Sequence, residues 1–366
     1  MTLSPARARI RYWLDAARWS LVVLLAFELG IRFFIVRSPQ REYLPEWGVI
    51  PAEGSYSMQG LEGYAVQRYL ANGEIETPYR DGIPVVVLGD STTMAAQVSP
   101  SSNFVSLTES ALRERGINAD LRNLGRSARL IPDHVFLASA VNAAYAPRYL
   151  VVQVSADSFT LSYDPANENY FVSNGNGKLT LMHQTPPLAK DLAYRNLITL
   201  SAFLDHLDFR LWYSMQSLGA ASFREISGAG NAGDRNANAL PEVSGDEPDL
   251  RQFRRQVAEQ VQALTEAYPN SEILFLVVAD APKLASDPEP KIVWARPGDT
   301  RLVKTLENIP GVKVVYTQKA FQEFYEQYHV LPRGNFNSAF NFGHLNRYGH
   351  QAVAQVLTEA LEEILK

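Results

Sequence analysis

Residues 84–91 read PVVVLGDS, and this stretch decides the fold of the chain. Four consecutive apolar residues, 85–88, predict a short strand that is buried on both faces, as strands of a parallel sheet are. The polar tripeptide Gly89-Asp90-Ser91 follows directly and predicts a strand-to-helix turn. A serine at such a turn can project its hydroxyl into a cleft, and the turn's backbone amides can stabilise a developing oxyanion.

Downstream of this turn, strand patterns and helix patterns alternate. Further apolar runs lie near Leu121 and at 149–154, 273–278 and 312–316. Helical patterns lie at about 103–115, from residue 132, at about 248–268 and 300–308, and over the C-terminal 352–364. Strand followed by helix, repeated about five times, predicts an α/β fold with a parallel sheet covered by helices on both faces. Ligands of such sheets bind outside the carboxyl ends of the strands.

Composition excludes several classes of function. The 366 residues include 34 Lys and Arg against 39 Asp and Glu, so the acidic chain gives no electrostatic reason to expect a nucleic-acid partner. The chain has no cysteine, which excludes disulfide scaffolds, thiolate zinc sites, iron–sulfur clusters and cysteine nucleophiles. No histidine pattern of a metal centre and no phosphate-binding glycine loop occurs in the sequence. We therefore expect neither a cofactor nor a metal.

The N-terminus carries an apolar run, WSLVVLLAFELGIRFFIV, over residues 19–36. Its length is near the lower limit for spanning a bilayer. Glu28 and Arg32 interrupt it four residues apart, so they can pair on one helix face. Arginines precede and follow the run, which predicts a single-pass membrane anchor with residues 1–18 in the cytoplasm and the main domain outside, in the periplasm. The alternative is an amphipathic or core helix.

The remaining chain divides into a connecting segment and one large domain. Residues 37–83 are predicted to form a juxtamembrane linker with a hairpin that turns at Asn72-Gly73. Residues 84–366 form the α/β domain, and residues 159–247 interrupt its alternation as an insertion. The aromatic part of the insertion, about 188–218, is predicted to be helical, and the Gly- and Asn-rich part, 219–245, to be a mobile loop.

Four candidate site residues follow three predicted strands or precede the last helix. They are Ser91 after the first strand, Gly125 after the second, Asp157 after the third, and His344 in the loop before the last helix. Each has a plain structural interpretation: a turn serine, a turn glycine, a capping aspartate and a solvent-exposed histidine. Together, at one edge of the sheet, they form a candidate site in which His344 acts as general base for Ser91.

This arrangement resembles the SGNH, or GDSL-type, serine hydrolases and acyltransferases over residues 84–366. Gly89-Asp90-Ser91 is similar to the family's nucleophile block, Gly125 to its glycine block, and His344-Leu345-Asn346-Arg347-Tyr348-Gly349 to its closing block. The resemblance implies a three-layer α/β/α sandwich with a five-stranded, flavodoxin-like sheet, and acyl-ester chemistry through an acyl-serine.

It also implies roles for individual residues. Ser91 would be the nucleophile and His344 the general base, and the backbone amides of Ser91 and Gly125 would form the oxyanion hole. Asp90 and Asp157 are candidate site carboxylates.

Two residues depart from the family's pattern. Ala156 stands where the family has an asparagine that contributes to the oxyanion hole, and Asn341 stands where it has the aspartate of the triad. An amide oxygen can orient the imidazole without supplying charge, so Asn341 is predicted to orient His344. A second histidine, His350, is predicted to lie on the surface of the last helix.

The sequence thus favours a membrane-anchored serine esterase acting on acyl esters such as O-acetyl groups. Two alternatives stay open. One is an O-acyltransferase of a cell-envelope glycan or lipid that works with a multi-spanning membrane partner. The other is a non-catalytic interaction subunit that retains the fold, which the two departures favour.

Overall fold

The structure is a computed structural model that describes residues 5–35, 37–60, 62–174, 177–184, 201, 203–204, 207, 248–285, 291–294, 296–338 and 341–366. The strands in chain order are β1 (Arg41–Leu44), β2 (Gly48–Pro51), β3 (Tyr56–Gln59), β4 (Ala65–Arg68), β5 (Ile83–Leu88), β6 (Ala119–Asn123), β7 (Tyr149–Val154), β8 (Asn169–Ser173), β9 (Leu179–His183), β10 (Glu272–Val277), β11 (Lys283–Ala285), β12 (Lys291–Val293) and β13 (Lys313–Tyr316). The helices are α1 (Pro5–Phe34), α2 (Ser91–Met94), α3 (Phe104–Glu114), α4 (Ile131–Phe136), α5 (Ala138–Tyr145), α6 (Ala156–Thr160), α7 (Pro248–Ala267), α8 (Pro297–Glu307), α9 (Gln318–Tyr328) and α10 (Arg347–Leu365).

The central sheet has five parallel strands in the order β13-β10-β7-β5-β6. β5 is an inner strand, where Val85 pairs with Leu121 of β6 and with Tyr149 of β7. All six residues of β7 are buried, as expected for a strand covered on both faces. The predicted parallel, five-stranded α/β sheet of flavodoxin-like order is therefore confirmed.

Helices cover both faces of this sheet because alternate residues of each strand point to opposite sides. Val86 and Val152 belong to a core with helices α4, α5, α7 and α8. Val87 and Val151 belong to a second core with α3, α9 and α10. These two cores make the domain a three-layer α/β/α sandwich, which places the carboxyl ends of β5, β7 and β10 along one open edge.

The N-terminal run of apolar residues lies in α1, a helix that begins well before the predicted anchor and ends at Phe34. Glu28 and Arg32 form the predicted ion pair, with the Arg32 Nη2 atom 2.7 Å from Glu28 Oε1. Across the described part of the chain, no helix combines the length and the apolar character needed to cross a bilayer. The predicted span at 19–36 is therefore not found among the described residues.

Residues 37–83 form two small antiparallel hairpins, β1–β2 and β3–β4. The predicted turn at Asn72-Gly73 is present: both residues have positive φ, and Tyr69 pairs with Ile75 across it. Ile75 also bridges to Asn123 of β6, so this segment packs against the edge of the central sheet. The described residues of the turn between β3 and β4, Gly60 and 62–64, lie near the carboxyl edge.

Three further features extend or correct the sequence analysis. Helix α9 was not predicted, and it follows β13 directly. His350 is buried, contrary to the surface position predicted for it, because the start of α10 packs against α3: its ring stacks on Phe104, and its Nδ1 atom accepts a hydrogen bond from the Phe104 amide. The insertion contains the hairpin β8–β9. Nearly all of the predicted aromatic helix at 188–218, and the whole predicted loop at 219–245, lie outside the described residues.

Candidate active site

Ser91 is the first residue of α2, immediately after the turn that ends β5. Asp90 caps this helix, since its carboxylate accepts a hydrogen bond from the Thr92 amide at 2.7 Å. The turn is tight: a Cβ atom on Gly89 would lie 2.2 Å from Thr93 Oγ1. Gln153 of β7 also holds the turn by accepting from the Asp90 amide at 3.0 Å. The carboxylate of Asp90, a candidate site group from sequence, is thus engaged in capping.

His344 lies in the loop that enters α10, and it contacts the serine. Its Nε2 atom is 3.0 Å from Ser91 Oγ. Asn346 fixes the start of α10, because its side chain accepts hydrogen bonds from the Tyr348 and Gly349 amides. The topology thus brings together Ser91 and His344, which are 253 positions apart in the sequence.

Glu62, in the turn between β3 and β4, holds the other side of the imidazole. Its Oε2 atom is 2.7 Å from His344 Nδ1, and its Oε1 atom accepts from the His344 amide at 2.6 Å. A carboxylate only accepts hydrogen bonds, so Nδ1 carries the proton and the Nε2 lone pair faces Ser91. This is the tautomer that a general base needs.

Asn341 does not occupy the position predicted for it. Its side-chain amide donates to the Pro282 carbonyl at 2.7 Å. Its Oδ1 atom has no hydrogen-bond partner among the described residues, and His344 Nδ1 is bonded to Glu62 instead. The prediction that Asn341 orients His344 is therefore wrong. The residue has a left-handed backbone, φ 56°, which turns the loop before His344.

The electrostatics of Glu62 favour its charged form. Burial alone raises the pKa of this carboxyl, but the hydrogen bonds and charge of His344, together with the charge of Arg333, outweigh burial and lower it. The Glu62 side chain is 3 % exposed, whereas that of His344 is 31 % exposed. A buried carboxylate thus faces a histidine that solvent and substrate can reach, and it can stabilise positive charge on the imidazole.

Several backbone contacts fix Glu62 in place. Asn337 accepts from the Gly63 amide at 2.6 Å and donates to the carbonyls of Gly60 and Gly63. On the histidine side, a Cβ atom on Gly343 would lie 2.2 Å from Glu62 Oε1. Gly343 also has φ 81°, a conformation that favours glycine. The position of the carboxylate therefore depends on residues from both ends of the domain.

The predicted oxyanion donors have different surroundings. The Gly125 amide donates to Asn123 Oδ1 at 2.9 Å, so it is already engaged and does not fit the donor role predicted for it. The Ser91 amide opens α2, and an amide at that position has no partner within its helix. Ala156 opens α6, where its methyl group offers no hydrogen-bond donor.

A cavity of 450 Å³ lies at the carboxyl ends of β5, β7 and β10, beside α2. Its wall is mainly polar and includes Asp90, Thr92, Gln153, Asp157, Arg296 and Asp299. Asp157 is exposed in the first turn of α6. Among the described residues no group of three or more acidic or histidine side chains could hold a metal ion. The cavity is thus suited to a polar ligand, and it is lined by Asp90 and Thr92, the residues on either side of Ser91.

Comparisons with known proteins give structural resemblances only. No protein-family model matches the chain, and no curated sequence matches it. Similar solved structures include the psychrotrophic esterase EstA from Pseudoalteromonas sp. (9 % identity, 77 % of this chain and 98 % of that one, TM-score 0.37). An acetyl xylan esterase (14 %, 76 % and 100 %, 0.39) and a G-D-S-L family lipolytic protein from Veillonella parvula (8 %, 77 % and 99 %, 0.37) are also similar. TM-scores this low do not establish the family or the activity of this chain.

Proposed function

We propose that the protein is a serine hydrolase of acyl esters, with Ser91 as nucleophile, His344 as general base and Glu62 as the residue that orients His344. The observation that carries the proposal is the continuous chain of contacts from Ser91 Oγ to His344 Nε2 and from His344 Nδ1 to Glu62. Nucleophile, base and orienting acid within hydrogen-bond distance are the geometric signature of nucleophilic catalysis.

The steps follow from these positions. Ser91 Oγ attacks the ester carbonyl carbon while its proton passes to His344 Nε2. The tetrahedral intermediate collapses, His344 returns the proton to the leaving alcohol, and an acyl-serine remains. Water, deprotonated by His344, attacks the acyl carbon and releases the carboxylic acid and free Ser91. Glu62 stays ionised throughout and stabilises the imidazolium in each half-reaction.

The Ser91 amide is the group best placed to stabilise the oxyanion. Losing one oxyanion donor costs about 10²–10³ in rate in a well-studied protease. Ala156 therefore predicts a slower enzyme than one with a complete oxyanion hole, not an inactive protein. The triad geometry disfavours the non-catalytic alternative, because an interaction subunit has no need of an imidazole held in the basic tautomer.

The polar cavity supports a hydrophilic ester. Its volume and its charged wall suit the alcohol part of a polar molecule better than a long acyl chain. Acyl esters such as O-acetyl groups on a sugar fit this description. One of the similar structures is named as an esterase of such a substrate, acetyl xylan. Transfer to a glycan or lipid with a membrane partner, and an extracytoplasmic location, stay proposals that rest on the sequence pattern of the N-terminus.

Labelling with a fluorophosphonate probe tests the proposed function. We expect the full-length chain to be labelled, and Ser91→Ala and His344→Ala to lose labelling while circular dichroism shows an unchanged fold. Acetate release from an acetylated oligosaccharide, with and without a glycan acceptor, then separates hydrolysis from transfer. A folded wild-type chain that is neither labelled nor active on p-nitrophenyl acetate would overturn the proposal.

A further inference from the structure

A second cavity, of 330 Å³, lies on the other side of α2, between the β1–β4 hairpins and the loop that follows β6. Its wall contains three arginines, Arg37, Arg41 and Arg126, together with Tyr69 and Gly125. It is joined to the nucleophile turn, because the Arg126 amide donates to the Gly89 carbonyl at 3.0 Å. The triad uses none of the residues of this wall.

Arg126 is the central group of this cavity. Its Nη2 atom donates to the Asn72 carbonyl at 2.6 Å, while its Nη1 atom is buried and has no hydrogen-bond partner among the described residues. No described carboxylate lies within 4.0 Å of the guanidinium. The acidic groups nearby are paired elsewhere, Glu74 with Arg80 and Arg122.

The charged groups around Arg126 act in both directions. Burial lowers the pKa of its guanidinium well below the ordinary value, and the charges of Arg129 and Arg41 lower it further, whereas Tyr69 and Tyr145 raise it. A buried charge whose donors are not all paired is destabilising. Planar anionic groups that accept two parallel N–H bonds are the natural complement of a guanidinium.

We propose that this cavity is a binding site for a carboxylate or phosphate group, with Arg126 as its principal ligand. The guanidinium of Arg126 lines the cavity, and Arg41 supplies further positive potential in the same wall. The bound group lies behind α2, next to the residues that hold Ser91. The site is separate from the triad, so the measurement of binding does not depend on the esterase activity; only the assignment of the anion to the substrate rests on the proposed function.

Thermal denaturation of the full-length chain in inorganic phosphate, against chloride at equal ionic strength, tests the site. We expect Tm to rise with phosphate and to saturate, since a ligand that binds only the folded state stabilises it. Arg126→Met is expected to abolish the rise, and Arg254→Met, an exposed arginine on α7, to retain it. Ser91→Ala should also retain it.

A second variant, which keeps the positive charge, provides a test if Arg126→Met does not fold. Arg126→Lys keeps the cation but not the planar pair of donors, and we expect it to bind phosphate at least about tenfold more weakly in calorimetry. A wild-type chain whose Tm phosphate raises no more than chloride does would overturn the proposal. A saturating rise that persists in folded Arg126→Met would overturn it equally.

Kinetics identify the source of the anionic group. If it belongs to the ester substrate, phosphate competes with acetylated polygalacturonate while leaving hydrolysis of neutral p-nitrophenyl acetate unchanged. If it is a free ion, phosphate binds without competing with either ester. Both results support the site, and they assign it to substrate recognition or to a separate small anion.

Discussion

Replacing Glu62 by glutamine is the sharpest test of the proposed triad, because both carboxylate oxygens accept hydrogen bonds from His344. Oε1 accepts from the backbone amide at 2.6 Å, and Oε2 from Nδ1 at 2.7 Å. The backbone amide can only donate, so the single oxygen of a glutamine is drawn toward it. The glutamine NH₂ group then faces Nδ1, which must lose its proton to accept.

That exchange reverses the tautomer of the imidazole. The proton moves to His344 Nε2, which then cannot accept the proton of Ser91. The corresponding aspartate-to-asparagine change in a serine protease costs about 10⁴ in rate for the same reason. We expect Glu62→Gln to lower kcat/KM for p-nitrophenyl acetate by about 10³–10⁴-fold, or roughly 4–5.5 kcal/mol of transition-state stabilisation.

The measurement compares three purified proteins at one pH: the wild type, Glu62→Gln and Glu53→Gln. Glu53 is exposed, so its variant controls for the loss of one acidic group. Thermal denaturation confirms that each protein is folded. A folded Glu62→Gln that retains more than about a tenth of wild-type kcat/KM would refute the reasoning, because a wrong tautomer cannot support that rate.

Three further changes follow from the same contacts. Asn341→Ala is expected to keep kcat/KM within about threefold of wild type, since its amide bonds a carbonyl and not the imidazole; a larger loss in a folded variant would restore it to the site. Gly343→Ala is expected to slow fluorophosphonate labelling at least about 100-fold, because the new Cβ would displace Glu62 from 2.2 Å away; unchanged labelling would contradict the fixed carboxylate. His350→Leu concerns stability: burial, with the charges of His344 and Arg333, lowers the pKa of His350 from 6.5 to about 3. The pKa of His350 in the folded protein lies below its value in the unfolded chain. Its contribution to the free energy of unfolding is therefore complete above pH 6.5 and is lost as the pH falls toward 3, a total loss of up to about 4–5 kcal/mol. The free energy of unfolding, measured in urea at pH values between 7 and 3, should therefore change less steeply with pH in the variant, by up to one bound proton. Equal pH dependence of the two proteins would contradict a buried neutral histidine.

Those parts of the fold that depend on local patterns could be predicted from the sequence. Valine-rich runs bounded by glycine and proline are typical of strands buried on both faces, and the strand at 149–154 was predicted with its observed bounds. The contact between Ser91 and His344 followed from the rule that the carboxyl ends of parallel strands meet at one edge. These inferences need only neighbouring residues and the topology of a parallel sheet.

The wrong predictions concern contacts that cannot be inferred from the spacing of neighbouring residues. Asn341 was assigned to the imidazole because it stands three positions before His344, whereas the acid comes from 282 positions upstream. Gly125 was assigned as an oxyanion donor by its place after a strand, but Asn123, two residues earlier, takes its amide. The sequence signal for the carboxylate that bonds His344 was a glutamate, Glu62, between Gly60 and Gly63. A glutamate in a glycine-rich turn is too common to identify a site residue.

The position of Glu62 changes what the catalytic unit must contain. A boundary at residue 84, where the alternating pattern begins, separates the carboxylate from the histidine that it orients. The β3–β4 hairpin is held to the domain by Asn337, whose side chain bonds Gly60 and Gly63. The sandwich by itself brings Ser91 and His344 together, but only the docked hairpin supplies the buried charge. Activity and docking of the hairpin are therefore coupled: a chain that begins at residue 84 keeps Ser91 and His344 but lacks Glu62, the carboxylate that holds the imidazole in the tautomer this contact needs.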